Sequence, residues 1–182
     1  MSAPGKLNTR KTQLSVKGAQ SEPRNYYVAF ALNKEVFAVE IRFVKEILQY
    51  DEPTEVPLMP PFVRGVINLR GAVVPVLDLS IRFERPPTQV AQRTCVVILE
   101  VPQAGKVVVI GVMVDSVSEV MELAPSEIEP APSTGADPKS QFICGIAKVR
   151  NRFVILLDAA RILSAAEVSQ LAQESTSGVV EP

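Results

Sequence analysis

Short runs of β-branched and aliphatic residues, separated by turn-forming pairs, make up most of the chain from Tyr26 onward. This pattern is typical of many short strands and not of a helix-rich fold. It predicts strands at residues 26–32, 36–40, 66–69, 73–77, 94–101, 107–114, 142–149 and 153–157. It predicts turns at Asn33-Lys34, Arg70-Gly71, Gln103–Lys106 and Arg150-Asn151. The expected fold class is therefore all-β.

The sequence also repeats itself. Residues 62–78, FVRGVINLRGAVVPVLD, align without a gap with residues 142–158, FICGIAKVRNRFVILLD. In a second register, FAVEIRFVKEI from Phe37 aligns with IGVMVDSVSEV from Ile110. Both pairs keep the same order and share glycines, turn residues and acids that strand alternation does not require. We therefore expect a duplicated unit: strand, hairpin, strand, a one-turn helix carrying Glu46, a loop and a Gly-x-x-x-Arg hairpin.

About five short strands per unit are enough to close a small β-barrel and to avoid long exposed edges. Proline-rich segments at 53–61, 86–87 and 125–138 predict loops, because proline lacks a backbone donor. After Asp158, apolar residues recur at a helical period as far as Gln173, which predicts a C-terminal helix that Asp158 caps and that lies on a barrel. A cleft between two similar barrels is a usual place for partner contact.

Charge and composition narrow the function classes. The net charge is −1 and only 5% of the residues are aromatic, so the basic groove and stacking platform of a nucleic-acid binder are not expected. The longest apolar run, Val107–Val114, is less than half of the roughly 20 residues that a membrane span needs. Residues 2–24 lack the apolar core of a signal peptide, so we expect an intracellular protein in which Cys95 and Cys144 are buried as free thiols.

Candidate catalytic groups are few. The chain has no histidine, and neither cysteine has a partner that suits a nucleophile or a zinc site. Asp78 and Asp158 are equivalent acids, which resembles the paired carboxylates of an aspartic protease. Each is followed by a sequence other than the Asp-Thr/Ser-Gly turn, so capping of the next residues is the better interpretation. We expect no catalytic residue, metal or cofactor.

At these residues the chain resembles a known family. The segment VRGVINLRGAVVPVLDL, residues 63–79, is similar to the signature of chemotaxis coupling proteins of the CheW type. The segments at 41–48, 111–123 and 142–163 resemble further family segments in the same order, and the resemblance covers residues 26–173. It implies two SH3-like five-stranded β-barrels with short helices and a C-terminal helix.

The expected domain organisation follows. Residues 1–25 would form a flexible basic tail, residues 26–80 the first barrel, completed by 159–175, and residues 81–158 the second barrel. Residues 176–182 would form a second flexible tail.

The resemblance also implies a function and a set of contacts. It implies a non-catalytic cytoplasmic adaptor, monomeric in isolation and recruited to receptor arrays at the inner membrane. Its partners would be the cytoplasmic tip of a chemoreceptor and the regulatory domain of a histidine kinase, which would bind one end of the first barrel. Arg70 and Glu46 match the receptor-facing motif, and a salt bridge between them is expected as an alternative to two solvated side chains. The groove between the barrels would contain Val44, Gly65, Val96 and Val120.

Three alternatives stay open at this point. A small barrel of this kind could bind nucleic acid or a small ligand, because one fold serves many functions. The two aspartates could serve an unrecognised hydrolase. Arg70 could be a solvated hairpin residue, and Gly65 and Gly71 could be needed only for their backbone angles.

Overall fold

The computed structural model describes residues 22–131, 141–164 and 167–171, and these residues form an all-β protein with short helices. The strands are β1 (Asn25–Leu32), β2 (Glu35–Glu40), β3 (Val44–Gln49), β4 (Val63–Leu69), β5 (Ala72–Asp78), β6 (Cys95–Gln103), β7 (Lys106–Val114), β8 (Ser116–Leu123), β9 (Ile128–Glu129), β10 (Ile143–Val149) and β11 (Arg152–Leu157). The short helices are Ile41–Phe43, Leu79–Arg82, Pro125–Glu127 and Ala159–Arg161. Each strand that the sequence predicts is present, so the predicted fold class is confirmed.

Strands β3, β8 and β9 go beyond the prediction. The expected one-turn helix exists but ends at Phe43, so the placement of Glu46 on that helix is wrong and Glu46 lies in β3. Residues 44–49 alternate between half-buried and exposed, which is the period of a strand with one covered face. The predicted loop 125–138 likewise contains a 3₁₀ turn and the short strand β9.

The strands form two mixed sheets. Barrel 1 is the sheet with the order β8-β1-β2-β11-β10-β9, and barrel 2 is the sheet with the order β3-β6-β7-β5-β4. Both are SH3-like β domains, as expected, but barrel 1 has six strands and not the predicted five, because the short strand β9 joins its edge. In each sheet one parallel pair, β2 with β11 or β5 with β7, joins two antiparallel groups of strands.

This strand pairing does not follow the expected division at residue 80. Strands β1 and β2 of the first sequence repeat lie in barrel 1, and β3, β4 and β5 of the same repeat lie in barrel 2. The second repeat divides in the same way, with β6 and β7 in barrel 2 and its later strands in barrel 1. The turn at Ile41–Phe43 carries the first repeat from one sheet to the other. The repeats are thus related by a pseudo-twofold axis and exchange strands.

The hairpin turns explain the turn-forming pairs in the sequence. The dipeptides Asn33-Lys34, Arg70-Gly71, Ala104-Gly105 and Arg150-Asn151 all have positive φ at both residues, as type I′ turns require. These turns match the right-handed twist of the strands that they join. The predicted turns are therefore confirmed.

Gly65 and Gly145 mark equivalent bulges in the two repeats. Each lies where the register of its hairpin shifts by one residue. Gly65 has a φ of 151°, and a Cβ atom there would overlap the backbone carbonyl oxygen of Thr54. At Gly145 a Cβ atom would lie 2.5 Å from Ile128. Both glycines let the chain before the hairpin approach the hairpin closely.

The buried apolar residues form three clusters, one inside each barrel and one between the barrels. The interior of barrel 1 contains residues such as Ala29 and Leu156, and the interior of barrel 2 contains Val96 and Ile98. The largest cluster lies between the barrels and includes Leu99, whose side chain points to the opposite face of β6. The two barrels are therefore joined by a packed apolar core, because central strands such as β6 bury one face inside their barrel and the other face between the barrels.

Arg82 joins the two repeats at this core. Its guanidinium lies over the rings of Phe62 and Phe142, with its carbon 4.7 and 4.8 Å from their centroids. Its Nε donates to the Ile162 carbonyl oxygen (2.9 Å) and its Nη2 to Glu167 Oε1 (2.7 Å). Phe62 and Phe142 occupy equivalent positions, so Arg82 lies near the pseudo-twofold axis and fixes the C-terminal segment to it.

The start of the predicted C-terminal helix is wrong. Asp158 caps only the 3₁₀ turn Ala159–Arg161, by accepting from the Ala160 amide (3.1 Å). A second cap follows, in which Ser164 and Glu167 each accept a hydrogen bond from the other's backbone N–H. Helical residues 167–171 follow it, and residues 172–173 of the predicted helix lie outside the described residues.

The first described residues contact barrel 1, although the sequence assigns residues 22–25 to the tail. Glu22 accepts hydrogen bonds from the backbone and side chain of Ser126. Arg24 forms ion pairs with Glu122 (3.2 Å) and Glu127 (2.8 Å). The remainder of the two predicted tails lies outside the described residues.

Candidate partner-binding face

Arg70 lies at the tip of the β4–β5 hairpin. The positive φ values of Arg70 (51°) and Gly71 (87°) form the turn, and the Asn68 side chain accepts a hydrogen bond from the Gly71 amide (2.8 Å). This short-range hydrogen bond fixes the turn. The arginine side chain therefore projects from a rigid hairpin, with 69% of its surface exposed.

Glu46, on β3, is the partner of Arg70. Arg70 Nη2 donates to Glu46 Oε1 (3.0 Å) and Arg70 Nη1 donates to Glu46 Oε2, which makes the contact bidentate. These hydrogen bonds lower the pKa of the Glu46 carboxyl group and raise the pKa of Arg70. Of the two alternatives for Arg70 and Glu46, the salt bridge is thus the one that is present.

The position of this ion pair matters more than its strength. Strands β3 and β4 are the two outer strands of barrel 2, and the Arg70–Glu46 pair connects them across the opening of the sheet. An exposed pair contributes typically less than ~1 kcal/mol to folding. Its main effect is to hold the guanidinium in one orientation, with the N–H groups that Glu46 does not use facing solvent.

The other predicted site residues do not join this pair in one groove. Val96 is only 3% exposed inside barrel 2, so it does not line a surface groove. Val44 is half-buried and packs against the core between the barrels. Gly65 lies under the proline-rich loop. Val120 is 55% exposed, but it lies on β8 of barrel 1.

A second ion pair repeats the first one in barrel 1. Arg150, at the tip of the β10–β11 hairpin, donates to Glu119 of β8. The two sequence alignments match Arg70 with Arg150 and Glu46 with Glu119. The aligned residues carried the signal for this pair, although no site was predicted at Arg150 and Glu119.

Asp78 and Asp158 have structural roles. Asp78 is fully buried and accepts hydrogen bonds from the Ser80 amide (2.9 Å), the Thr88 amide (2.9 Å) and the Thr88 hydroxyl (2.9 Å). Both aspartates cap the turns that follow them, so the capping interpretation is confirmed.

The described residues offer little other site chemistry. No group of three or more metal-ligating side chains occurs among them. Cys95 and Cys144 are free thiols, but their predicted burial is wrong, because Cys95 is half-buried and Cys144 is exposed. The partial burial that remains, followed by the charge of Asp158, raises the pKa of Cys144. In this part of the chain no helix is long and apolar enough to cross a membrane.

Known proteins with similar sequences cover most of the chain. The family model described as CheW-like domain matches residues 26–167. The Chemotaxis protein CheW of Klebsiella aerogenes is 33% identical over 143 residues, which cover 79% of this chain and 84% of that protein. The Chemotaxis protein CheW of Bacillus subtilis is 34% identical over 136 residues, which cover 75% of this chain and 85% of that protein.

A solved structure is similar as well. The crystal structure of the scaffolding protein TtCheW from Thermoanaerobacter tengcongensis aligns with a TM-score of 0.70 and 28% sequence identity. The alignment covers 81% of this chain and 93% of TtCheW.

Proposed function

The chain belongs to the family of CheW-like domains, and on that premise we propose that it is a non-catalytic adaptor that couples chemoreceptors to the chemotaxis histidine kinase. The proteins of this family are scaffolding adaptors of chemotaxis. The proposal adds the two partners: the cytoplasmic tip of a receptor and the regulatory domain of the kinase. Such partners would recruit the protein from the cytoplasm to receptor arrays at the inner membrane.

The observation that carries the proposal is the Arg70–Glu46 pair. An exposed ion pair on a rigid hairpin stabilises the fold little, so an orienting role explains its bidentate geometry better. Glu46 holds one side of the guanidinium, and the free N–H groups can bind carbonyl or carboxylate groups of a receptor helix. Arginines held in this way are common among the residues that dominate protein interfaces.

Coupling of this kind needs binding and no bond making. Receptor and kinase would bind different surfaces, the kinase on one end of a barrel, so that one adaptor holds both partners at a high local concentration. The packed core between the barrels suits this role, because a movement at one barrel is transmitted to the other through tightly packed side chains. The adaptor would be monomeric when neither partner is present.

A binding experiment with both partners tests the proposal. The receptor tip and the kinase regulatory domain are each captured with the wild-type protein, Arg70→Ala and Arg150→Ala. We expect Arg70→Ala to reduce receptor binding on the order of tenfold, as at other arginine hot spots, with kinase binding unchanged. Arg150→Ala is the matched control, because it removes an equivalent exposed arginine from the other barrel. Unchanged receptor binding by Arg70→Ala would contradict the proposal.

A charge swap separates orientation from direct contact. The double variant Arg70→Glu with Glu46→Arg keeps an ion pair across β3 and the hairpin. If Arg70 itself binds the receptor, the swapped protein stays folded but does not recover receptor binding. Full recovery would mean that the pair only shapes barrel 2.

A further inference from the structure

A pocket opens in barrel 1 at the place that corresponds to the Arg70–Glu46 pair of barrel 2. It lies between β8 and the end of the β10–β11 hairpin, and the Arg150–Glu119 pair is at its mouth. The mouth also contains Ser118 and Arg152. The pocket is therefore the gap between the two outer sides of the barrel 1 sheet.

The floor of this pocket is apolar. It is formed by side chains from β1, β2, β8, β10 and β11: Ala29, Val36, Met121, Val149 and Val154. The cavity has a volume of about 120 Å³. This volume is of the same order as that of an engineered apolar cavity of ~150 Å³ that holds benzene, so one aliphatic side chain fits.

The charge at the mouth is unbalanced. Arg150 is paired with Glu119, whereas Arg152 has no ion pair or hydrogen bond among the described residues. Two guanidinium groups and one carboxylate leave a net positive mouth. An anionic group that enters with an apolar side chain would find an unpaired guanidinium beside the cavity.

The backbone on both sides of the pocket also lacks partners. Strand β8 is an outer strand that pairs with β1 alone, and β9 covers β10 only at Ile146 and Ala147. The end of β10 near Val149 therefore pairs with β11 alone within the described chain. Unpaired sheet edges bind extended peptides through main-chain hydrogen bonds, which a lipid does not supply.

We propose that this pocket, the barrel 1 pocket, binds an extended protein segment in which an aliphatic residue stands two positions from Asp or Glu, so that both side chains face the pocket. The aliphatic side chain fills the cavity, the carboxylate binds Arg152, and the backbone lies along the edge of β8 or β10. Barrel 2 does not offer the same combination, because the residue equivalent to Arg152 is Ala72. This binding requires neither the receptor nor the kinase, and neither partner is used in the experiments below.

Synthetic peptides and backbone amide NMR of the full chain test this inference. The probe, called the glutamate–leucine peptide, is an end-capped peptide that repeats Glu-Ser-Leu, so that a glutamate and a leucine share one face, and the controls replace leucine with serine or glutamate with lysine. We expect the glutamate–leucine peptide to shift amide signals of β8 and of the β10–β11 hairpin, and both controls to bind at least about tenfold more weakly, since a charged hydrogen bond or a buried side chain contributes this much. Equal shifts at the Arg70 hairpin, or equal binding of the controls, would overturn the proposal.

Two variants locate the binding. Arg152→Ala should weaken binding of the glutamate–leucine peptide on the order of tenfold, because it removes the unpaired guanidinium. Arg93→Ala is the matched control, an exposed arginine outside the pocket with no ion pair among the described residues, and should bind as the wild type does. The spectrum of each variant in the absence of peptide reports whether it is folded. Undiminished binding by Arg152→Ala contradicts the proposal.

A vesicle assay distinguishes a peptide from a membrane surface. Vesicles of phosphatidylglycerol are sedimented with the wild-type protein and with Arg152→Ala. We expect little binding, and no difference between the two proteins. If the vesicles bind through Arg152 and the peptide does not bind, the pocket recognises anionic lipid and the proposal fails.

Discussion

The buried carboxylate of Asp78 should stabilise the fold far more than its pseudo-symmetric counterpart Asp158. Asp78 is fully buried and accepts three hydrogen bonds of 2.9 Å, two of them from Thr88 in the connection between the repeats. Asp158 has 32% of its side chain exposed and accepts one amide hydrogen bond of 3.1 Å. Replacing each by alanine therefore compares a buried, saturated cap with an exposed one.

The magnitudes follow from these contacts. A hydrogen bond to a charged acceptor contributes about 1.5–3 kcal/mol, and a buried donor left without a partner costs a similar amount. The carboxylate's own desolvation offsets part of this sum, so we expect Asp78→Ala to lower the free energy of unfolding by about 3–5 kcal/mol. Asp158→Ala should cost about 1 kcal/mol, as for other exposed caps.

Urea unfolding followed by far-UV circular dichroism measures both losses. Thr88→Val is a milder variant that keeps the side-chain shape and removes one hydroxyl, and it should cost about 1–2 kcal/mol. If Asp78→Ala does not fold, Thr88→Val still tests the argument against Asp158→Ala. Equal losses for Asp78→Ala and Asp158→Ala would refute the reasoning, because burial and saturation would then have no effect.

Further predictions concern the bulge at Gly65, the contacts of Arg82 and the thiol of Cys144. Gly65→Ala should lower the free energy of unfolding by about 2–4 kcal/mol in urea, because its φ is positive and its Cβ would overlap backbone; Gly71→Ala, with open space around it, should cost less. Arg82→Met should cost about 2–3 kcal/mol and speed hydrogen exchange of residues 167–171, since it loses two ring contacts and two hydrogen bonds. Because the pKa of the Cys144 thiol is raised in the folded protein, this thiol loses its proton at a lower pH in the unfolded chain than in the folded one. The contribution of Cys144 to the free energy of unfolding is therefore complete below the ordinary cysteine pKa of about 8.5 and declines as the pH rises. Cys144→Ser should remove this part of the alkaline decline in the urea midpoint.

Local patterns of the sequence predicted the strands and hairpins well. The continuous β-branched runs of β6 and β7 and the turn pairs such as Arg70-Gly71 are short-range signals, and each produced the expected element. Strand β3 was missed because it follows a helical turn directly, and Val44 and Glu46 are separated by a register shift in the pairing with β6. In such a short segment, the sequence pattern does not show where the helical turn ends and where the strand begins.

The distribution of strands between the sheets could not be predicted from the pattern. Two similar repeats present the same apolar alternation, so β1 can pair with strands of either repeat without any change in sequence preference. The pairing of distant strands depends on which arrangement buries the apolar residues between the barrels. The sequence does not show which face of β6 lies there, because both faces are apolar, as Leu99 and Val96 show. For the same reason, the sequence could not distinguish the buried Val96 from the exposed Val120.

The sequence predicted only the part of the candidate site that consists of two oppositely charged side chains. A salt bridge between Glu46 and Arg70 was one alternative to two solvated side chains, and the structure contains it. The equivalent pair of Arg150 and Glu119 was visible in the alignment of the repeats but had no function attached to it. The barrel 1 pocket requires three-dimensional information, since its floor is built from five strands that are distant in sequence.

The exchange of strands between the repeats has a consequence for how this chain can be divided. A cut in the connection between Arg82 and Cys95 would separate the repeats but release neither barrel, because each sheet needs strands from both fragments. The two fragments should instead reassemble when mixed, as a split protein does. The equivalent strand order of the two sheets is the arrangement that two copies of one repeat would adopt as an intertwined homodimer, here carried by one continuous polypeptide.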